Sequence, residues 1–338
     1  MLKYVMAEYS ERLGEITNKQ FQQALDRFSL GKLIKAEAVP FGNFGQNVFL
    51  TTNKGEFVFR GKPHYPWQFK SEQFMASLLH ERIKVPVPHP YLIDQQKDIF
   101  GWSYVLMPRL KGKLIKDIKV KAILTRQDRL EIAQVMGENL AKLQKLTWDY
   151  PGEYDLKLNG IKPLELPYDQ WVISKINEQK NKVSKADWEW IAQTIDEDRD
   201  ALKVSFTPTF VMHDYQESNV LVDRIDGQWQ VTGVFDLMEN YFGDGEADLV
   251  RLFADYHGED SQLAYAFLNG YLAKKSVRPG FTKRWPIYMI WDRLVVWSWA
   301  KGNKKIWWDA NLTFKDWCEK FTNLDGLKTA GLGEQNLG

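Results

Sequence analysis

The apolar positions of this chain change their period once. Between residues 17 and 28, Phe21, Ala24, Leu25 and Phe28 recur at helical spacing, and Thr17 with Gln20 fits a capping box, so a capped amphipathic helix is predicted. From Ile34 to Arg60 the pattern becomes strand, turn, strand, turn, strand. The strands include Val48-Phe49-Leu50 and Phe57-Val58-Phe59, and the turns are Gly42-Asn43-Phe44-Gly45 and Asn53-Lys54-Gly55. A second helix is predicted from Gln68 to Ile83, because the run Val85-Pro86-Val87-Pro88-His89-Pro90 cannot continue it. Tyr91 to Ile93 and Trp102 to Met107 complete a small sheet that Pro108 interrupts. Beyond Gly112 the pattern reads as mostly helical, most clearly through Ile132, Val135, Met136, Leu140 and Leu143.

One hairpin breaks that helical stretch. Val220-Leu221-Val222 precedes the turn signal Asp226-Gly227, and Val231, Gly233 and Val234 mark a second strand within Trp229 to Phe235. Asn219 and Asp236 lie almost equally far from the turn, so folding the strands together brings both side chains to the open end. Two hard oxygen ligands there suit Mg²⁺, which takes few protein side chains and completes its shell with water and phosphate oxygens. Asp214, just upstream, is placed to accept the proton of an attacking hydroxyl. The spacing of Asp214, Asn219 and Asp236 is shared with the catalytic and metal-binding parts of protein kinases, and it predicts phosphoryl transfer.

Composition narrows the setting. The 338 residues suggest two domains or two lobes, with 44% hydrophobic and 26% charged residues, ordinary for a globular protein. Net charge is +1, so nothing in the totals asks for nucleic acid or anionic lipid. The single cysteine, Cys318, excludes an internal disulfide and suits a reducing compartment. The opening MLKYVMAEYSERLGE has no apolar core of a signal peptide, and Asp292 and Arg293 break the apolar stretch Tyr288 to Ala300. The expectation is a cytoplasmic protein with no membrane span, a hinge at Met107 to Gly112, and lobes 1–109 and 110–338.

Taken together, HDYQESNVLV and GVFDLMENYFGDGEADL resemble the aminoglycoside phosphotransferase and choline kinase-like family of small-molecule kinases, with the likeness running from about Val39 to Phe253. The resemblance implies an α+β, bilobal protein kinase-like fold, with a small antiparallel-sheet N-lobe and a larger, mostly helical C-lobe. It implies that Asp214 is the catalytic base and that Asn219 and Asp236 hold Mg²⁺ on the phosphates of ATP or GTP. Arg60 matches the cation directed at those phosphates, with Lys62 as the alternative, and Glu72 matches its ion-pair partner. Gly42 and Gly45 would belong to the loop covering the phosphates, where backbone N–H groups approach an anion closely. The hinge around Met107 would lie against the nucleotide base, which its backbone groups would read.

The chain departs from the family pattern in places. Met212 stands where the family usually has His, leaving His213 adjacent to Asp214 as a support for the loop through hydrogen bonding. Gln144 follows Leu143 where many relatives have His. Asp248 is expected to brace the catalytic loop, whereas Asp244 and Glu246 read as solvated charges. Glu239 could face an acceptor. The later aromatics Trp285, Tyr288, Trp291, Trp297, Trp299, Trp307 and Trp308 read as core before they read as an acceptor platform. Trp188 and Trp190, two apart, are not expected to share a core face. The implied acceptor is a hydroxyl of an aminoglycoside-like antibiotic, an amino alcohol or a sugar derivative, which makes antibiotic resistance one physiological setting. The alternatives are an atypical protein kinase, against which stands the absence of an HRD motif and of Phe-Gly after Asp236, and a non-catalytic nucleotide-binding scaffold. Sequence does not give the oligomeric state.

Overall fold

A computed structural model describes residues 6–40 and 44–323. A short antiparallel pair, β1 (Met6–Glu8) and β2 (Glu15–Thr17), runs into helix α1 (Asn18–Arg27). The expected capping box is present, with Thr17 Oγ1 accepting from Gln20 N and Gln20 Oε1 accepting from Thr17 N. Strands β3 (Leu33–Ala38), β4 (Asn47–Thr52) and β5 (Gly55–Gly61) follow, then α2 (Gln68–Leu78), which continues as a π-helical turn through Leu79–Ile83. With β6 (Leu92–Asp94) and β7 (Tyr104–Pro108) these strands form one antiparallel sheet in the order β3-β4-β5-β7-β6.

Alternation gives this sheet two apolar faces. Val48, Leu50, Phe59, Tyr104 and Leu106 pack with Phe21 and Leu25 of α1. The intervening Val105 and Met107 pack with Phe69 of α2 and Tyr91. One helix therefore covers each face, and α2 is fixed against the strand that carries Arg60.

After β8 (Lys113–Leu114) and the short α3 (Ile118–Ile123) comes α4 (Arg126–Leu143), capped by a Thr125 and Asp128 box. Strands β9 (Gly152–Asp155) and β10 (Gly160–Pro163) precede α5 (Tyr168–Asn177) and α6 (Lys185–Asp198). Next come β11 (Thr209–Val211), the hairpin β12 (Val220–Ile225) and β13 (Gln228–Val234), and β14 (Tyr241–Gly243). Helices α7 (Leu249–Glu259), α8 (Ser261–Leu272), α9 (Phe281–Gly302) and α10 (Phe314–Thr322) complete the described chain. The hairpin turns at Asp226 (φ 52°) and Gly227 (φ 81°), both left-handed as a type I′ turn requires.

The helices of this half pack around one large core. Helices α4 and α8 meet backbone to backbone: a Cβ on Gly137 would lie 1.9 Å from Phe267 O, and one on Gly270 would lie 2.0 Å from Gln134 O. The expectation of little strand beyond the hairpin needs correction. The four-stranded sheet β10-β9-β14-β11 and the β8 edge on the hairpin are built from segments of two to four residues, too short to display a period. Trp188 and Trp190 also depart from expectation, because both are partly buried against the core. Among the described residues, no helix is long and apolar enough to cross a membrane.

Candidate active site

Strand β11 pairs with β14 through Phe210 and Phe242, and the chain then leaves the sheet toward Asp214. Asp248 fixes that exit. Its two carboxylate oxygens accept the backbone N–H groups of Met212 and His213, each at 2.6 Å. His213 is left-handed (φ 64°), a conformation that a non-glycine residue keeps only when its surroundings impose it.

Asp214 then receives several donors. Gln216 Nε2 reaches Oδ1 at 2.7 Å, and Asn219 Nδ2 reaches Oδ2 at 2.8 Å and the Asp214 carbonyl at 2.9 Å. Arg251 Nη1 lies 3.3 Å from Oδ1, and its Nε donates to Asp292 Oδ1 at 2.5 Å. Burial raises the pKa of the Asp214 carboxyl above the ordinary range, Arg251 opposes that shift, and Asp236 adds to it. A carboxylate raised in this way is a stronger general base than a solvated one.

The hairpin register brings the next two positions together. Val220 pairs with Val234, and Phe235 N donates to Asn219 O at 3.0 Å, so Asn219 and Asp236 leave the same end of the ladder. Asp236 is itself left-handed, at φ 62°. Its Oδ1 accepts from Arg60 Nη2 at 3.0 Å, while Arg60 Nη1 donates to Glu72 Oε2 at 3.0 Å. Tyr91 Oη and Gln68 Nε2 also donate to the Glu72 carboxylate. Burial disfavours the Arg60 cation, but Glu72 and Asp236 outweigh it and hold the guanidinium charged. Lys62 takes no part, since its Nζ donates to Arg12 O at 3.0 Å.

The donor set fits Mg²⁺ chemically. An amide oxygen from Asn219 and a carboxylate from Asp236 are hard ligands. Two such ligands suit an ion that keeps water and takes phosphate oxygens as its remaining ligands.

The other expected residues are distributed unevenly. Gly42 lies outside the described residues. Gly45 is left-handed (φ 59°), and its carbonyl accepts from Ser10 Oγ at 2.5 Å. Met107 pairs with Val58 in the sheet, its side chain buried beside Phe69 and Tyr91. The His213 ring lies 4.6 Å from that of Trp291, and its buried Nε2 has no partner. Burial, with Arg251 beside it, pushes that imidazole down to about 4, so the ring is neutral. Loop support thus comes from the His213 backbone N–H. Glu239 is exposed at the surface, yet the chain around its carboxyl limits solvation there, which, with Asp214 and Asp236 nearby, pushes its pKa upward.

Asp244 and Glu246 are not solvated charges. They are 3% and 4% exposed, and they are held by Arg278 and Arg284, whose cations offset their charge. Among the aromatics, Trp285, Tyr288, Trp291 and Trp297 are buried, while Trp307 is 61% exposed. Sequence reasoning missed Arg251 as the partner of Asp214 and Asp292 as the partner of Arg251. The available signal was a charged pair, Asp292 and Arg293, inside an otherwise apolar helix, since buried charges need partners.

Comparison with known proteins extends the picture. The profile described as "Phosphotransferase enzyme family" matches residues 35–283. No curated protein matches the chain. Among solved structures, a thermostable mutant of aminoglycoside phosphotransferase APH(4)-Ia in ternary complex with ADP and hygromycin B is similar over 89% of this chain and 96% of that chain, with 13% identity and a TM-score of 0.62. The GDP complex of wild-type aminoglycoside 2'-phosphotransferase-IIIa is similar over 95% and 98%, at 14% identity and a TM-score of 0.60. A putative fructosamine-3-kinase from Haemophilus somnus 129PT covers 90% and 96%, at 14% identity and a TM-score of 0.55. At such identities the structural likeness establishes a shared fold, here an antiparallel sheet in the N-terminal part and helices in the C-terminal part. The profile match spans most of the chain and includes every residue gathered around Asp214 except Asp292, so the chain belongs to the phosphotransferase enzyme family and is a phosphotransferase.

Proposed function

We propose that this protein transfers the γ-phosphoryl group of a magnesium nucleotide, ATP or GTP, to a hydroxyl of a small molecule. The observation that carries the reading is the bridge made by Arg60, which joins Glu72 on α2 to Asp236 at the end of the hairpin. It ties the sheet and the hairpin into one site beside Asp214. In this reading residues 1–109 hold the nucleotide, and residues 110–338 carry the chemistry and the acceptor.

Each residue then has a task. Asp214 takes the proton of the acceptor hydroxyl as it attacks, and Arg251, Gln216 and Asn219 hold its carboxylate in place. Arg60 directs its charge at the phosphates, kept in position by Glu72. Asn219 and Asp236 would hold Mg²⁺. The ion would supply charge neutralisation between the phosphates, the main electrostatic need of phosphoryl transfer. Backbone groups near Met107 meet the base and Gly45 lies near the phosphates. Asp214, Asp236 and Glu239 give the acceptor side an acidic character, which favours a cationic acceptor such as an aminoglycoside, an amino alcohol or an amino sugar derivative. The balanced total charge supports a small-molecule partner rather than nucleic acid, and a cytoplasmic setting with its nucleotide supply suits the reaction. Antibiotic resistance is the physiological role if the acceptor is an antibiotic.

A coupled nucleotide-consumption screen tests this, run with ATP and GTP against aminoglycosides, macrolides, amino alcohols and sugars. Turnover should appear with one acceptor class and fall by at least about 10²-fold in Asp214→Asn, while the thermal shift with MgADP persists. Undiminished turnover in that variant would remove Asp214 as the base. Nucleotide binding with no turnover on any acceptor would favour a scaffold.

A further inference from the structure

A second cavity, of about 450 Å³, lies between the end of α4, the chain entering β11 and the turn after α8. Arg60, Asp214, Asn219 and Asp236 do not line it. Its lining charges are unequal, with Lys145, Lys274, Lys275 and Arg278 against Asp244 and Glu246.

Those two carboxylates are already engaged. Asp244 pairs with the Arg278 guanidinium and accepts from Tyr288 Oη at 2.6 Å. Glu246 accepts from Arg278 N at 2.7 Å and from Arg284 Nε at 2.7 Å. The surplus positive charge therefore resides on the lysines. Lys275 Nζ donates to a neutral acceptor, Gln144 Oε1, at 2.9 Å, and burial lowers its pKa, a cost that a bound anion would offset. Lys145 is exposed, and Lys274 sits 3.4 Å from Glu138 with its side chain 53% exposed, an arrangement that neutralises it only weakly. At the cavity wall Thr209 is 5% exposed, and its buried Oγ1 has no hydrogen-bond partner. An unpaired buried hydroxyl is an unmet bond that a ligand atom can supply.

We propose that this cavity is a second binding site that takes a small phosphate monoester. A monoester carries nearly two negative charges at neutral pH, matching the excess of two cations in the lining. The lysines meet the phosphoryl oxygens, and Thr209 hydrogen-bonds the hydroxyl-bearing body. The volume falls in the range of pockets that enclose whole small molecules, larger than an inorganic phosphate needs.

Calorimetry on the full chain, with MgADP saturating, tests the site using glucose 6-phosphate, glycerol 3-phosphate, phosphoserine, glucose and inorganic phosphate. At least one monoester should bind saturably at millimolar concentration or below, and more tightly than glucose or inorganic phosphate. Affinity should fall by at least about tenfold in the double variant Lys145→Glu/Lys274→Glu and also in Thr209→Val. The rim lysines are exposed, so the double variant should keep its unfolding temperature and its thermal shift with MgADP, which reads the nucleotide site separately. Absence of saturable binding by every monoester, inorganic phosphate binding as tightly as the esters, or affinities unchanged in both variants would overturn the proposal.

Discussion

Replacing Asp248 with asparagine should make the protein more stable than its parent at pH 8 while slowing its chemistry. Asp248 is 1% exposed, and burial raises its carboxyl from 3.8 to about 7, against the opposing pull of the Met212 and His213 N–H groups and of Arg251. The folded pKa lies above the unfolded one, so the folded state keeps its proton where the unfolded chain has released it. The stability this group contributes is therefore fully present below about pH 4 and is lost as pH rises through 7. At about 1.4 kcal/mol per unit, the loss between pH 5 and pH 8 integrates to about 2.5 kcal/mol.

Asparagine does not titrate, so it escapes that loss. It offers one oxygen to two N–H donors, leaving one unpaired at about 1–3 kcal/mol, but a protonated Asp248 bears a similar mismatch, so the two match where the parent is protonated in both states, below about pH 4. The two proteins should be close in stability below about pH 4, the variant should already lead at pH 5, and it should gain about a further 2.5 kcal/mol on its parent between pH 5 and pH 8. Urea unfolding of both across that range measures the difference. Parallel curves would refute the burial argument, and a variant that loses ground with rising pH would reverse its sign. Turnover should still fall at least about tenfold, because one anchor of the Met212 and His213 peptide groups is gone and misplacement of Asp214 by 1 Å is enough. Unchanged turnover would show that Asp248 does not position the loop.

Arg60→Met leaves Glu72 buried without its cation, so it should cost about 3–5 kcal/mol by urea unfolding and abolish the MgADP thermal shift. The double variant Arg60→Met/Glu72→Met should recover most of the stability and none of the shift; recovery of both would detach the pair from nucleotide binding. Gly137→Ala gains about 1 kcal/mol of helix propensity, but its methyl would meet the Phe267 carbonyl at 1.9 Å, a backbone atom that cannot rotate away. Overpacking at about 1–3 kcal/mol or more should win, and a more stable variant by urea unfolding would show that α4 and α8 are not in contact there. Glu239→Gln should raise KM for cationic acceptors about fivefold, the equivalent of roughly 1 kcal/mol, and leave neutral ones unchanged; equal effects on both would remove charge recognition from Glu239.

The N-terminal sheet, α1 and the hairpin were legible in the sequence because each carries its own local signal. Phe21, Ala24 and Leu25 repeat at helical spacing behind a capping box, and Asp226-Gly227 supplies the two left-handed positions that the turn needs. The hairpin in turn placed Asn219 and Asp236 at the same end of the ladder without any tertiary information. Nothing comparable marked β9, β11 or β14, whose pairing is fixed by the surrounding core and not by their own three or four residues. The loop bearing Asp214 depends on that hidden sheet, since β11 and β14 bring Met212 within reach of Asp248.

Charge was the harder property to read, for a physical reason. A sequence displays each carboxylate and each guanidinium, while burial depends on whether an opposite charge arrives from far along the chain. Asp244 and Glu246 read as solvated because like charges packed round a metal would repel, yet Arg278 and Arg284, more than thirty positions away, offset their charge and let both be buried. Asp292 and Arg293 interrupt an apolar stretch, and a charge costs as much inside a packed core as it would in a membrane span. A charged residue kept inside an apolar helix must be answered by something, and here Asp292 is answered by Arg251, which also reaches Asp214. The pair that interrupts the hydrophobic pattern of α9 was therefore the one readable sign, outside the Asp214 to Asp236 segment, that α9 contributes to the site.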